Sequence, residues 1–184
     1  MASNTTPFDT YSSVLSVCYT YSALGFLAVC CNLFVLLVYI SKSSIRTRYV
    51  LFCFIALADL INGLGFLMTG IKRSFKIWAL NNSTEFPITY RYQCALEFNT
   101  TFMLVGSQWP ALLISILGVE RFIAVTFPRK YFEISKHYLS ISLTSLVLVT
   151  FSLFLALFMG IILQRNDLGA YLCTMTASYG WEYS

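Results

Sequence analysis

Charged residues divide this chain into long uncharged runs. None occurs between Asp9 and Lys42, between Glu97 and Glu120, or between Lys136 and Arg165, and only Asp59 interrupts the stretch from Arg48 to Lys72. Each run holds at least the roughly 20 residues that an α-helix needs to cross about 30 Å of hydrocarbon. The pattern predicts four membrane spans, near 14–40, 49–71, 98–122 and 138–163, with a tail at 164–184. Strands of a membrane barrel would alternate polar and apolar residues. Here Leu143 to Ile162 is apolar on every face apart from Ser and Thr, so the prediction is an all-α bundle. Residues 1–184 read as one such domain, without repeats or low-complexity segments.

Composition supports a lipid environment. The chain is 58% hydrophobic and only 11% charged, with mean hydropathy +0.71, where soluble domains carry about 25% charge. The net charge of +4 fits basic loops, and no nucleic-acid-binding pattern accompanies it. The N-terminal segment Met1 to Tyr11 has no Lys or Arg, and the apolar run behind it is far longer than the core of a signal peptide, so it reads as a span. Lys42, Arg46 and Arg48 in the first short loop then place the N-terminus and the 164–184 tail outside the cell, in a protein of the plasma membrane. The N-glycosylation triplets at Asn4, Asn81 and Asn82 fall in segments that this topology also puts outside.

Of six cysteines, Cys18, Cys30, Cys31 and Cys53 lie inside predicted spans and read as small packing residues. Cys94 and Cys173 flank the third and fourth spans on the oxidising side, so a bridge between them is expected. His137 is the only histidine, and no nucleophile motif or second metal ligand accompanies it. Neither an enzyme nor a cofactor nor a metal site is implied.

Polar residues at depth carry the remaining signal. Asp59 lies near mid-bilayer, where a charge costs on the order of 2.5 to 3.5 kcal/mol, and so calls for a partner or a function. Asn62 is one turn away, and Asn32 in the first span lies at similar depth, beside Gly25 and Ala28 on a small-residue face suited to close helix approach. These three form an expected intramembrane polar network. In the third span, Thr100, Met103, Ser107, Pro110, Ile114, Leu117 and Arg121 recur at spacings of three and four, which predicts one inward face with Thr100, Met103 and Ser107 turned to a ligand. A kink near Gly106 and Ser107 is expected from Pro110. On spacing alone, Glu120 and Arg121 at the end of that span read as an interfacial anchor.

Four features in order reverse that preference: Asn32; Leu57-Ala58-Asp59-Leu60; Cys94; and Glu120-Arg121-Phe122 followed by Ile123-Ala124-Val125 and Pro128. Together they resemble rhodopsin-like G-protein-coupled receptors, and most nearly the nematode serpentine chemoreceptors of class SX. The resemblance implies that Glu120 restrains Arg121 at rest and releases it to a heterotrimeric G protein, that Phe122 belongs to the same switch, and that Cys94 pairs with Cys173. It also implies an extracellular ligand of unidentified chemistry. The chain departs from that pattern in having no Trp in the fourth span, Cys31 before Asn32, Pro110 where a sodium-binding serine is common, and Met103 where amine receptors carry an aspartate. Neither a sodium site nor a biogenic-amine ligand is therefore expected. The resemblance covers essentially the whole chain yet supplies four of seven helices, so a fragment or truncated receptor is the expectation. The rival is a non-signalling four-span structural or interaction protein; a tetraspanin would carry its long cysteine-bearing loop between spans three and four, which this chain does not.

Overall fold

The computed structural model describes residues 7–41, 49–79, 89–134, 137–163, 168–169, 172–173 and 175–179. Four long helices dominate: span one Pro7–Ser41, span two Val50–Ala79, span three Phe98–Thr126 and span four Tyr138–Phe158, which continues as a π-helical turn, Met159–Leu163. Each contains a segment long and apolar enough to cross a bilayer, of 29, 30, 29 and 25 residues in turn. Their outer surfaces are apolar as well, with Phe34, Phe75, Trp78 and Val125 all at least two-thirds exposed. Such a surface is stable only in lipid, so the chain is an all-α integral membrane protein.

Lipid removes the hydrophobic drive between helices and leaves close packing to hold them. Spans one and two meet through small residues. A Cβ on Gly25 would lie 2.5 Å from the Leu67 backbone nitrogen and 2.8 Å from the Gly63 carbonyl, while one on Gly63 would meet Ala28. Span three approaches span two at Gly106, where a Cβ would lie 2.5 Å from the Cα of Asn62. Trp109 and Leu113 then pack with Leu51 and Ala58 of span two and Val149 of span four. The Trp109 indole N–H donates to the Ser145 hydroxyl (3.2 Å), and its ring stands edge-on to Phe54. An aromatic anchor thus does join spans three and four, but span three supplies it.

Three spans outrun their predicted limits, the helix of span one beginning at Pro7 and not near residue 14. Span two continues past residue 71 to Ala79 because Lys72, Arg73 and Lys76 all find partners there. Span three continues to Thr126 and ends at Phe127, whose φ of −135° and ψ of 68° leave the helical region ahead of Pro128. Pro128 opens a short helix, Pro128–Ile134. The helix of span three runs through Pro110, whose ring is buried.

At one end of the bundle the expected bridge is present: Cys94 and Cys173 are joined, with Cα atoms 5.0 Å apart. Cys94 lies on the short helix Arg91–Ala95, preceded by the strand Thr89–Tyr90, which pairs antiparallel with Leu168–Gly169. The described part of the tail packs back onto the bundle. Its helix Met175–Tyr179 buries Tyr179 against Ala95, Leu104 and Ala156. The Tyr179 hydroxyl donates to the Ala95 carbonyl and meets the Thr101 hydroxyl, both at 3.3 Å. Burial pushes the Tyr179 phenol above its ordinary pKa, and the Thr101 contact offsets part of that rise.

Candidate functional site

The two ends of span three carry the chemistry. At the disulfide end, Glu97 precedes the first turn and accepts from Lys76 (2.8 Å) and Lys72 (3.1 Å) of span two. The Lys72 ammonium also donates to the buried Asn99 side chain at 3.4 Å. Burial alone would raise the Glu97 carboxyl, but hydrogen bonds and positive charge from Lys76 and Lys72 outweigh it and hold the group below its ordinary pKa. Between these two lysines, the Arg73 guanidinium donates through Nε to the Leu172 carbonyl and through a terminal nitrogen to that of Cys173, both at 2.9 Å. Cys173 has φ of 47°, a left-handed conformation, and these bonds and the bridge hold it there.

The opposite end is sparsely tied. Glu120 is buried and Arg121 beside it is exposed. Adjacent helix positions diverge by about 100°, so Glu120 turns into the bundle while Arg121 stands exposed at the edge of the same cavity. The two form no ion pair, contrary to the resting contact implied by the family resemblance. Glu120 instead meets the hydroxyl of Tyr131, from the helix after Pro128, at 3.4 Å. These groups line a cavity of about 350 Å³ with Tyr49, Leu51 and Phe52 from the start of span two and Tyr138 from the start of span four. The Tyr138 hydroxyl is buried there, beside the Tyr131 hydroxyl and the Glu120 carboxylate. Phe122 is 65% exposed.

Between the ends, the expected polar network is not joined by hydrogen bonds among the described residues. Asn32 donates back to the Ala28 carbonyl (2.9 Å) and so closes on its own helix. Asp59 is half-buried, and Asn62 packs on Gly106 with its amide oxygen buried and unbonded. The expected inward face of span three also divides. Thr100 and Pro110 are buried, Met103 is half-buried and accepts from Thr69 through sulfur at 3.2 Å, but Ser107, Ile114 and Arg121 are exposed. The buried stripe runs through Gly106, Trp109, Leu113 and Glu120, roughly a quarter turn away. Packing against spans two and four sets it there, whereas spacing alone defines a face without saying which neighbour it meets. Asn4, Asn81 and Asn82 lie outside the described residues.

No family model, curated protein or solved structure matches this chain. Its site is therefore read from its own residues.

Several of those residues escape a linear reading. Lys72 and Lys76, one turn apart on a helix, carry a signal, because two like charges on one face call for a shared acid. Tyr131 carries none: nothing in its neighbourhood shows that the chain reversal at Pro128 returns it to Glu120.

Proposed function

We propose that the chain is the four-helix N-terminal portion of a rhodopsin-like G-protein-coupled receptor of chemosensory type. In this reading the N-terminus and the disulfide end face outward at the plasma membrane, and Glu120 and Arg121 face the cytosol. One observation carries it: a bridged loop caps one end of span three, while the other end sets a buried Glu120 beside an exposed Arg121. The capped end offers the half-buried Met103 and the Lys72–Lys76–Glu97 group to an extracellular ligand. The far end offers Arg121 and Phe122 to a G protein. A ligand that binds one arrangement of the helices more tightly shifts the population toward it. The move required at the far end is small, because among the described residues Arg121 has no ion pair to break and the hydrogen bond from Tyr131 to Glu120 is long.

The test uses the chain in cells. An epitope inserted after Arg129 is expected to be detected only after permeabilisation, and resonance energy transfer to a panel of Gα subunits is expected to fall in Arg121→Ala at matched surface level. Extracellular detection of the epitope, or undiminished coupling in Arg121→Ala, overturns the reading.

A further inference from the structure

Span four ends in a rare backbone form, and the tail docks on the same spot. The α-helix gives way after Phe158 to the π-helical turn Met159–Leu163, which contains no proline to force it. Such a turn closes its hydrogen bonds over five residues in place of four and occurs frequently at functional sites. Gly160 lies inside it and is buried. A Cβ there would lie 2.9 Å from the Ser178 carbonyl oxygen, 3.1 Å from the Ala95 Cβ and 3.7 Å from the Tyr179 ring. The tail helix depends on this seat, because Met175–Tyr179 has five residues, far fewer than the roughly 12 that an isolated helix needs to persist in water.

Ile161 of the π turn packs against the cluster that buries Tyr179, while Ile162 beside it is 62% exposed. The seated tail and the widened turn thus share one set of contacts. A π turn holds one residue more than an α turn, so its reversion rotates the residues that follow by up to about 100° and turns Ile161 off the cluster. We propose that the end of span four is a two-state element set by the tail. With Tyr179 seated the turn is π-helical; with Tyr179 withdrawn it reverts to α-helix, and the helix Met175–Tyr179 unwinds. Closely packed contacts favour two discrete arrangements over continuous deformation. The Cys94–Cys173 bridge persists in both states and keeps the withdrawn tail within reach. Every residue of the switch lies within the described bundle, and the proposal is independent of the signalling reading.

The test uses the full chain in phosphatidylcholine nanodiscs. Ile161-Ile162 is the only Ile-Ile pair in the sequence, so isotope labels on the isoleucine carbonyl carbon and amide nitrogen give one correlated magnetic-resonance signal, that of the Ile162 amide. Ile162 faces lipid and is not part of the cluster, so its signal reports the backbone and not the loss of the tyrosine ring. Tyr179→Ala is expected to move that signal to a second position and to speed amide exchange over 175–179 by at least about tenfold. Gly160→Ala, which puts a methyl against the Ser178 carbonyl, is expected to release the tail from the other side with the same two effects. An intact Cys94–Cys173 bridge and helical circular dichroism like the parent's show that each variant folds. A released tail with an unmoved Ile162 signal overturns the proposal, and so does a tail that stays protected in Tyr179→Ala.

Discussion

Span three ends in two different kinds of structure. At the Cys94 end a covalent bridge, two lysine–carboxylate pairs, a guanidinium on two carbonyls and a buried tyrosine all converge within a few turns. At the Glu120 end a 3.4 Å hydrogen bond from Tyr131 to Glu120, with the Tyr138 hydroxyl beside both, borders a polar cavity of about 350 Å³. Local stability follows the number and strength of ties, so the first end is expected to resist opening and the second to rearrange at low cost. One helix therefore joins a fixed region to a yielding one. That is the arrangement required of an element that takes up a signal at one end and changes packing at the other.

The contrast is broken most directly at the bridge. Cys173→Ser opens a loop of 79-residue separation, for which chain entropy gives about 4.5 kcal/mol, an upper bound because the spans remain anchored in lipid. Thermal unfolding in detergent micelles should show a large fall in midpoint, matched by reducing agent on the parent. A midpoint within error of the parent would remove the distinction between the two ends. Arg73→Met comes next. It leaves the Leu172 and Cys173 carbonyls without their donor while keeping the bridge, at an expected cost of about 2 kcal/mol. Hydrogen exchange of the segment around Cys173 should rise selectively, with spans one and two unchanged.

The spans and the bridge were legible in the sequence because each answers a one-dimensional constraint. Bilayer thickness sets the length of an uncharged run, and a place outside the spans selects Cys94 and Cys173 from six cysteines. The Gly25–Ala28 face was legible for a similar reason, since small residues one turn apart mark close helix contact. What escaped depends on which helices are neighbours. Spacing grouped Ser107, Ile114 and Arg121 with Thr100, but packing on spans two and four turned the buried stripe toward Trp109 and Glu120. Asn32 and Asp59 lie at similar depth, yet Asn32 spends its donor on Ala28. The extension of span two to Ala79 likewise required knowing that Glu97 stands opposite Lys72 and Lys76.

Acid should sharpen the comparison further. The folded-state pKa of Glu97 lies below its unfolded value, so its ion pairs contribute stability above the unfolded value and lose it as pH falls through the folded one. The parent should therefore lose stability below about pH 4.5, the ordinary glutamate value, and Glu97→Gln should lose less over the same range. At neutral pH that substitution is expected to cost about 1 kcal/mol, since Lys72 is 44% exposed and its pairing is partly screened. Unfolding midpoints of both proteins between pH 7 and pH 3.5 give the answer. Parallel curves would mean that Lys72 and Lys76 do not stabilise the charged carboxylate.

The smallest expected effects belong to the yielding end, where their smallness is the informative result. Tyr131→Phe removes a hydrogen bond to Glu120 already about 0.7 to 0.9 Å longer than the usual hydroxyl–carboxylate distance, so it should change stability by less than about 0.5 kcal/mol. Arg121→Ala removes an exposed side chain that forms no ion pair among the described residues and should change stability as little. Both belong in the same thermal assay as Cys173→Ser, alongside the Gα energy-transfer measurement. If Arg121→Ala abolishes coupling with an unchanged midpoint, that end serves function without holding the fold. A loss of 2 kcal/mol or more from either substitution would show that Glu120 and its neighbours are as firmly held as the bridged end, and the division of labour along span three would fail.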